Sequence, residues 1–322
     1  MTPAACATTA FVAVATESHL PLACLALGSI RSSEPIRKRV YVVGSRSVLT
    51  GGDGIEVVHA ESYVEPALMD RLVSRYTPSE VCFALKPHVL ASMLREAGMK
   101  IAHYIDSDIK FYTPVDLLGA AFAGGDILLT PHYLRPFPHD GRRPHVLTLL
   151  RGGVFNAGYV GVRATPAGFD FLAWWAASVL DYGRNEPRSG MSGDQRWLDL
   201  APALFPTCTV WRHPGANVGY WNLHERTLTQ SPDGGIKVDD EPLMFFHFSG
   251  FDAGSPTELS KYQDRIDVPS QPMIGRLLGE YAADVASLRF SERRAGHYAY
   301  RKWWQGESWL IRRMRNRLRK RW

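Results

Sequence analysis

The run His103–Tyr112, HYIDSDIKFY, decides the fold because it places two carboxylates directly after an apolar segment. Ile101–Ile105 is largely apolar, which predicts a buried strand. On an extended chain, residues i and i+2 point to the same side, so we expect Asp106 and Asp108 to project together from the end of that strand. Ligands of open α/β sheets bind at the carboxyl ends of strands, and the pair therefore predicts a ligand site at that edge.

Asp106 and Asp108 also have a chemistry that calls for a cation. Two carboxylates this close repel each other and raise each other's pKa unless a cation lies between them. Their oxygens suit a hard divalent ion such as Mn²⁺ or Mg²⁺, whose shell phosphate oxygens often complete. An Asp-X-Asp triplet alone is a weak signal, because acidic pairs are common on solvated turns. The apolar run before it and the Pro-marked turn after it favour a metal site that holds a diphosphate.

The composition is that of an ordinary globular protein. The 322 residues suffice for one large α/β domain or two small ones, and 45% are hydrophobic and 21% charged. The four cysteines are scattered without metal-ligand spacing, which indicates core residues in a reducing compartment. We recognise no secretory signal and no window of eighteen apolar residues. We therefore expect a cytoplasmic protein.

Apolar runs and amphipathic segments alternate along the chain. This order predicts an α/β fold with a mostly parallel sheet flanked by helices. The predicted strands cover 11–16, 39–43, 55–58, 101–105, 126–130, 155–162 and 245–248, and the predicted helices 19–30, 65–76, 79–97, 168–180 and 194–200. Residues 136–151 and 182–193 are predicted to be loops, the first of them near the site.

Further polar residues follow predicted strands, and each has two interpretations. His247 ends an apolar strand and is either a hydrogen-bonded core residue or a third metal ligand. Asp194 starts a predicted helix, as a capping residue or, with Gln195, as a group facing a sugar. Asn156–Gly158 interrupts a strand, which indicates a bulge or a close backbone approach. Lys86 is either solvated or paired with diphosphate charge.

Taken in their order along the chain, these motifs resemble those of bacterial glycosyltransferases of the GT-A fold. They are similar to family 8, which includes galactosyltransferase and glycogenin-like enzymes. The resemblance covers roughly residues 10 to 255 and rests on Thr16 after the first strand, Tyr104–Asp108, Phe155–Gly158, Gly193–Gln195 and His247. The runs His213–Leu223 and Phe246–Gly250 resemble a less-characterised bacterial group of the same kind.

The resemblance implies a function and a set of residues for it. It implies metal-dependent transfer of a sugar from a nucleotide-diphosphate-sugar donor to a glycan or lipid-linked acceptor, with retention of configuration. It implies a Rossmann-like GT-A domain in residues 1–265 and a C-terminal helical extension in 266–322. The implied metal ligands are Asp106, Asp108 and His247; the donor contacts are Thr16, Lys86, Asp106, Ser107 and Asn156; the groups around the reacting sugar are Asp194 and Gln195.

One part of the pattern departs from that family, and two other functions stay open. Family 8 enzymes carry a Lys-Pro-Trp-like run after the late histidine, whereas Phe251–Ala253 follows here, so Lys86 or Lys261 would supply the missing charge. One alternative is a nucleotidyltransferase that makes sugar nucleotides, although residues 10–30 lack its Gly-rich loop. The other is a non-catalytic protein that binds sugar or membrane.

The C-terminus carries most of the chain's excess positive charge. Residues 301–322 contain nine Lys or Arg against the single acid Glu307, in a chain of net charge +5. Tryptophans at 303, 304 and 309 and apolar residues at 311, 314 and 318 are interspersed among the basic residues. This composition is typical either of a solvated terminus or of a helix at an anionic membrane, here the inner face of the plasma membrane. Nucleic-acid binding is not expected, since the body of the chain is not basic.

Overall fold

The structure is a computed structural model that describes residues 7–52, 54–288 and 298–300. Its strands are β1 (Thr9–Thr16), β2 (Ile36–Val43), β3 (Ile55–His59), β4 (Ile101–Ile105), β5 (Ile109–Phe111), β6 (Ile127–Pro131), β7 (Phe155–Arg163), β8 (Asn185–Glu186), β9 (Met191–Ser192), β10 (Cys208–Val210), β11 (Leu228–Gln230), β12 (Ile236–Val238), β13 (Glu241–Pro242) and β14 (Phe245–His247). Its α-helices are α1 (Leu20–Gly28), α2 (Pro66–Arg75), α3 (Pro78–Leu94), α4 (Leu118–Ala121), α5 (Val146–Gly152), α6 (Pro166–Tyr182), α7 (Ala201–Leu204) and α8 (Pro272–Ser287). Single 3₁₀ turns cover Glu17–His19, Ala60–Tyr63, Val115–Leu117, Pro187–Ser189, Gln195–Leu200 and Val268–Ser270.

A seven-stranded sheet in the order β10-β6-β7-β4-β1-β2-β3 forms the centre of the molecule. All its pairs are parallel except the two made by β7, which runs antiparallel to both β4 and β6. The central strands are buried on both faces because helices cover both, which explains their continuous apolar sequence. The predicted α/β fold with a mostly parallel, helix-flanked sheet is confirmed.

The chain reverses its direction across the sheet at the β1–β4 pair. From β1 it passes through α1 to β2 and β3 on one side, and it returns through α2 and α3 to β4 on the other side of β1. Crevices at such a topological switch point are the usual ligand sites of open α/β sheets. The carboxyl ends of β1 and β4 are Thr16 and Ile105, and Asp106 follows directly.

Helix α3 packs on the sheet beside this crevice, and its start is well defined. The Thr77 hydroxyl accepts a hydrogen bond from the Glu80 backbone N–H, and the Glu80 carboxylate accepts one from the Thr77 N–H. This capping box satisfies two backbone donors that the first helical turn leaves free. The buried face of α3 then brings Lys86 to the carboxyl edge of the sheet.

Three local predictions were wrong. Residues 136–151 are not all loop, since Val146 begins α5, where the Thr148 backbone N–H donates to the His145 carbonyl at 2.8 Å. The predicted helix after Asp194 is present as a 3₁₀ helix, but the capping role is absent, since the Asp194 side chain makes no capping hydrogen bond. The loop 182–193 contains the small β8–β9 hairpin.

The extension that begins at residue 266 is only partly described. Helix α8 lies in one hydrophobic cluster with Phe246 and Phe248, and the rings of Phe248 and Tyr281 stack with centroids 3.8 Å apart. A domain boundary at residue 265 stays a prediction. The basic segment 303–322 lies outside the described residues. Within those residues, no helix combines the length and the apolar character that crossing a bilayer requires.

Candidate active site

A cleft of about 1520 Å³ opens at the carboxyl edge of the sheet. Its walls come from the end of β1, the start of α3, the turn after β4, the start of β7 and the segment that follows β14. The predicted site residues that line it are Thr16, Lys86, Asp106, Ser107, Asp108, Asn156, Asp194, Gln195 and His247. The structure therefore brings together the whole predicted set, and Lys261 instead is exposed, with its ammonium over the Tyr262 ring.

Asp106, Asp108 and His247 form one compact group of ligand atoms. One atom from each of the three lies within 4.8 Å of the others. The short strands β5 and β14 produce this arrangement, because their antiparallel register sets His247 opposite Ile109, directly beside Asp108. His247 Nε2 lies 2.9 Å from Asp108 Oδ1.

The protonation of this pair reflects its burial. Burial alone would lower the pKa of His247, but the neighbouring Asp108 carboxylate outweighs it and the pKa is raised. Burial acts to raise the pKa of Asp108, and the imidazole outweighs it in turn, so that pKa is lowered. The pair thus favours imidazolium and carboxylate together, and an ion bound there would displace the imidazolium proton, since a ligating histidine is neutral. Its second ring nitrogen, His247 Nδ1, is buried without a hydrogen-bond partner among the described residues.

The interruption of β7 at Asn156–Gly158 has a steric reason. A Cβ on Gly158 would lie 2.4 Å from His247 Cε1, closer than real Cβ contacts, so only glycine leaves room for the imidazole. The strand is irregular here, with a register shift against β6. The Asn156 carboxamide oxygen accepts a hydrogen bond from the Gly158 N–H at 2.9 Å and holds the turn. Both structural interpretations, bulge and close approach, apply at this position.

Lys86 lies at the centre of a second, adjoining group. Its side chain is 2% exposed, and its ammonium lies 3.1 Å from Asp106 Oδ1 and 3.0 Å from Asp194 Oδ2. It also donates a hydrogen bond of 3.0 Å to the Ala157 carbonyl. These three contacts match the three N–H donors of an ammonium group. In this arrangement the lysine serves two carboxylates, and its direct contact with a diphosphate stays a prediction.

Asp194 is the carboxyl group whose environment is most unusual. Burial raises its pKa to about 6, with Lys86 acting in the opposite direction and Asp106 in the same one. Gly193 precedes it with a φ of +56°, which turns the chain into the cleft against the Phe83 ring. The Trp175 indole N–H donates to the Asp194 carbonyl at 3.0 Å and fixes the backbone.

Gln195 and Thr16 line the cleft, and the side chains of both make hydrogen-bond contacts with other residues of the protein. The Gln195 side-chain oxygen accepts from the Ala157 N–H at 3.1 Å, and its amide donates to the Gly152 carbonyl at 2.8 Å. Gln195 thus holds the interrupted strand in place. The Thr16 hydroxyl lies 3.0 Å from the Ser18 hydroxyl.

Sequence reasoning missed two residues of this site. The Tyr104 hydroxyl donates to Asp106 Oδ1 at 2.9 Å, and His132 Nε2 lies 3.2 Å from the Asn156 side-chain nitrogen. The i, i+2 rule that pairs Asp106 with Asp108 also places Tyr104 on the same side of the strand. His132 follows β6 as Asp106 follows β4, so its position at a strand end was the available signal.

The site could hold a divalent ion by the nature of its donors. Two carboxylates and one imidazole form an acceptable ligand set for Mn²⁺ or Mg²⁺. The buried, unpartnered Nδ1 of His247 also fits such a group, since buried polar atoms normally have partners. Lys86, which pairs with Asp106 and Asp194, lies next to this group. The charged side chains of the cleft are therefore concentrated at one edge of the sheet.

Two proteins of known sequence are similar to this chain. No family model matches the chain. It resembles two proteins of Bacillus subtilis strain 168 that are described as uncharacterized. YfnD is 27% identical over 202 residues, 61% of this chain and 61% of YfnD. YfnF is 30% identical over 210 residues, 64% of this chain and 69% of YfnF.

Two solved structures of LgtC also resemble the fold. One is the galactosyltransferase LgtC in complex with donor and acceptor sugar analogues, with a TM-score of 0.43 and 12% identity over 85% of this chain and 99% of that one. The other is an active-site mutant of LgtC, with a TM-score of 0.45 and 14% identity over 83% and 95%. The closer sequence match, with its coverage, decides the family: this chain belongs to the same family as YfnF of Bacillus subtilis.

Proposed function

We propose that this protein is a metal-dependent glycosyltransferase that uses a nucleotide-diphosphate-sugar donor. The observation that carries the proposal is the Asp106–Asp108–His247 group, whose ligand atoms lie within 4.8 Å at the switch point of the sheet. Hard oxygen ligands in a cleft of this size suit an ion that is shared with phosphate oxygens. The order of the sequence motifs, which resembles family 8, supports the same function.

Asp106, Asp108 and His247 would hold Mn²⁺ or Mg²⁺. When bound, such an ion neutralises the negative charge that develops on a leaving diphosphate. The protein's own contribution is to fix the ligands beforehand. Tyr104 and Lys86 both contact Asp106 Oδ1, and the β5–β14 ladder holds His247 against Asp108. Ligands fixed in this way need little reorganisation when the donor binds.

The transferred sugar would lie beside Asn156, Asp194 and Gln195, on the far side of Lys86 from Asp108. Asp194 there changes its charge near neutral pH, because burial raises its pKa to about 6. A carboxyl group with a pKa raised in this way can accept a proton from a nearby sugar hydroxyl or donate one to it. Thr16 and Ser107 would contact the nucleotide part of the donor. The retention of configuration follows from the family resemblance, and we assign no protein nucleophile.

Replacing one ligand tests the proposal directly. Asp108→Ala removes a carboxylate from a charge-stabilising site, so we expect transfer or donor hydrolysis to fall by about 100–1000-fold or more. A panel of UDP-, GDP- and TDP-sugars with and without Mn²⁺ provides the assay. The matched control is Asp170→Ala, an exposed carboxylate on α6 outside the cleft, which should retain full activity. Wild-type turnover that persists in excess chelator would refute the metal dependence.

The same assay separates the two other functions. A nucleotidyltransferase would make the sugar nucleotide from a nucleoside triphosphate and a sugar phosphate, with release of pyrophosphate. A non-catalytic binding protein would bind the donor and release no nucleoside diphosphate under any condition. Release of a nucleoside diphosphate from the sugar donor, dependent on Mn²⁺ and on Asp108, supports transfer over both.

We also propose that the acceptor is a glycan or lipid-linked glycan and that the basic segment 303–322 binds the anionic face of a membrane. Seven of the basic residues fall between positions 312 and 321, beside tryptophans that suit the interface. Each contributes about 1 kcal/mol at most near the surface, and salt screens the attraction. Truncation before residue 301 should release the protein from anionic liposomes while donor hydrolysis survives. Equal liposome binding by both proteins would refute the anchor.

A further inference from the structure

A short stretch near the C-terminus, Tyr298–Tyr300, returns to the cleft as a strap across the end of β2. Tyr298 lines the cleft together with Thr16 and Cys82, and both tyrosines pack against the core cluster that contains Val14 and Cys82. Strand β2 lies two strands from β4 in the sheet, about 10 Å at the usual strand spacing. The strap therefore forms the end of the cleft opposite Asp194, at a distance from the metal-ligand group.

Backbone and side-chain hydrogen bonds hold the strap on Gly44 and Glu61. The Ala299 N–H donates to the Gly44 carbonyl at 2.6 Å. The Tyr300 hydroxyl donates to Glu61 Oε1 at 3.2 Å, and the same oxygen accepts from the Gly44 N–H at 2.8 Å. One carboxylate thus joins the end of β2 to the strap, which fixes the position of the Tyr298 ring between them.

Gly44 leaves room for the Tyr298 ring. Its φ is +69°, a conformation that side chains rarely adopt, and a Cβ there would lie 2.7 Å from two carbon atoms of the ring. This close approach places one edge of the tyrosine ring against the backbone at the end of β2. The rest of the half-buried ring is turned to the cleft.

Tyr298 differs from the other aromatic side chains of the cleft in how its faces are used. Phe83 and Tyr104 lie beside the Lys86 ammonium, and Tyr281 packs against Phe248 and Phe251. Among the described residues, the aromatic partner of Tyr298 is Tyr300, which meets it edge-on at 5.7 Å and 70°. The two rings are therefore not stacked, and among the described residues no aromatic ring stacks in parallel on Tyr298.

We propose that Tyr298 stacks on the nucleobase of the donor and is a binding residue for the nucleoside part. The inference rests on the proposed function, in which the diphosphate lies at Asp106 and Asp108. The base is joined to that diphosphate through the ribose and so lies away from the metal group, along the edge of the sheet. A flat ring beside the apolar side chains of Val14, Ala15 and Cys82 is the surface on which a base packs.

The test compares two ligands that share the diphosphate and differ in the base. Mn²⁺-dependent binding is measured by calorimetry for pyrophosphate and for UDP, GDP and TDP. In full-length Tyr298→Ala, we expect binding of the preferred nucleoside diphosphate to weaken about tenfold to a hundredfold. Binding of Mn²⁺-pyrophosphate should stay unchanged, which also shows that the variant is folded. Tyr298→Phe keeps the ring and should bind the nucleoside diphosphate within about twofold of wild type.

A second variant moves the ring without changing it. Gly44→Ala places a methyl group against Tyr298 and should weaken nucleoside diphosphate binding as Tyr298→Ala does, with pyrophosphate again unaffected. Unchanged nucleoside diphosphate binding in both variants would overturn the stacking role and leave the proposed function intact. An equal loss for pyrophosphate and nucleoside diphosphate would also overturn it. A wild-type protein that binds pyrophosphate and nucleoside diphosphate equally would refute base recognition alone, whereas one that binds neither would refute the proposed donor as well.

Discussion

Two buried cations in this protein have the same number of acidic partners and different surroundings. Arg39 on β2 is paired with Glu56 on β3, at 2.7 Å, and with Glu96 beyond α3. Lys86 on α3 is paired with Asp106 and Asp194. The side chains of both are almost fully buried, at 5% and 2% exposure. By sequence, Arg39 is the last of three basic residues at the start of β2, whereas Lys86 is the one lysine or arginine of α3.

The difference between them lies in their partners and in the cleft. Glu56 is 46% exposed, so solvent stabilises much of its charge, whereas Asp194 is 5% exposed. Burial works to lower the pKa of Arg39, but its two glutamates outweigh this, so the guanidinium stays charged. Asp194, by contrast, has a pKa raised to about 6 and lines the cleft. A buried ion pair alone therefore does not indicate function; a perturbed group that faces a cleft does.

The largest expected effect comes from breaking the Lys86 group. Lys86→Met keeps the length of the apolar stem and leaves Asp194 buried without its counter-ion, so it should reduce turnover by about 100–1000-fold. The variant should elute from a size-exclusion column at the same volume as wild type. Donor turnover is the measurement, with circular dichroism as the control for folding. Turnover within a few-fold of wild type would show that Lys86, like Arg39, contributes to stability and not to catalysis.

Breaking the Arg39 group should affect stability and leave catalysis unchanged. Arg39→Met removes a buried cation, but Glu56 can be solvated and Glu96 also contacts Arg37. We therefore expect a loss of about 1–3 kcal/mol in the free energy of unfolding, below the cost of stranding a fully buried charge. Urea denaturation measures the loss. Turnover per folded molecule should equal that of wild type, and a large drop would mean that the two groups are functionally coupled.

A third buried group sharpens the comparison because it has no counter-ion among the residues that the structure describes. His103 on β4 stacks on Phe11 and lies 3.0 Å from the Tyr159 hydroxyl, and burial lowers its pKa to about 3. Below pH 6.5 the unfolded chain binds a proton that the folded state excludes, so stability must fall as the pH falls. The slope is about 1.4 kcal/mol for each pH unit between 6.5 and the folded-state pKa.

The measurement is the free energy of unfolding between pH 7 and pH 4.5. Other buried histidines with lowered pKa values, including His88 and His132, add to the wild-type slope. His103→Gln should reduce that slope by the contribution of His103, since glutamine does not titrate. An identical slope in variant and wild type would show that His103 is charged or exposed in the folded protein.

The sequence alone predicted the elements that have a strong pattern. Strand β4 was predicted with its observed bounds, because a largely apolar run of five residues ends at an acidic pair. The direction of β7 could not be predicted, since alternation and burial look the same in parallel and antiparallel strands. Helix α5 was missed because its seven residues follow a segment rich in Pro, His and Arg, which read as a loop.

The site was predictable where chemistry and strand ends coincide. Asp106, Asp108 and His247 meet as expected, although their roles stay predictions. The pairing of Lys86 with Asp194 depends on how α3 and the turn after Gly193 approach each other across the sheet, and no local pattern encodes this. The contact of Tyr298 with Gly44 joins residues that are far apart in the sequence, and only the folded structure displays it.

The pairing of β14 with β5 has a consequence for protein synthesis. Asp106 and Asp108 leave the ribosome long before His247, the third member of their group. At about 5–20 residues per second, the two carboxylates wait roughly 7–28 s for the imidazole. During that interval the nascent chain carries an incomplete ligand set, and its affinity for divalent ions stays low. Under the proposed function, metal binding would therefore favour chains that extend past His247 over shorter ones.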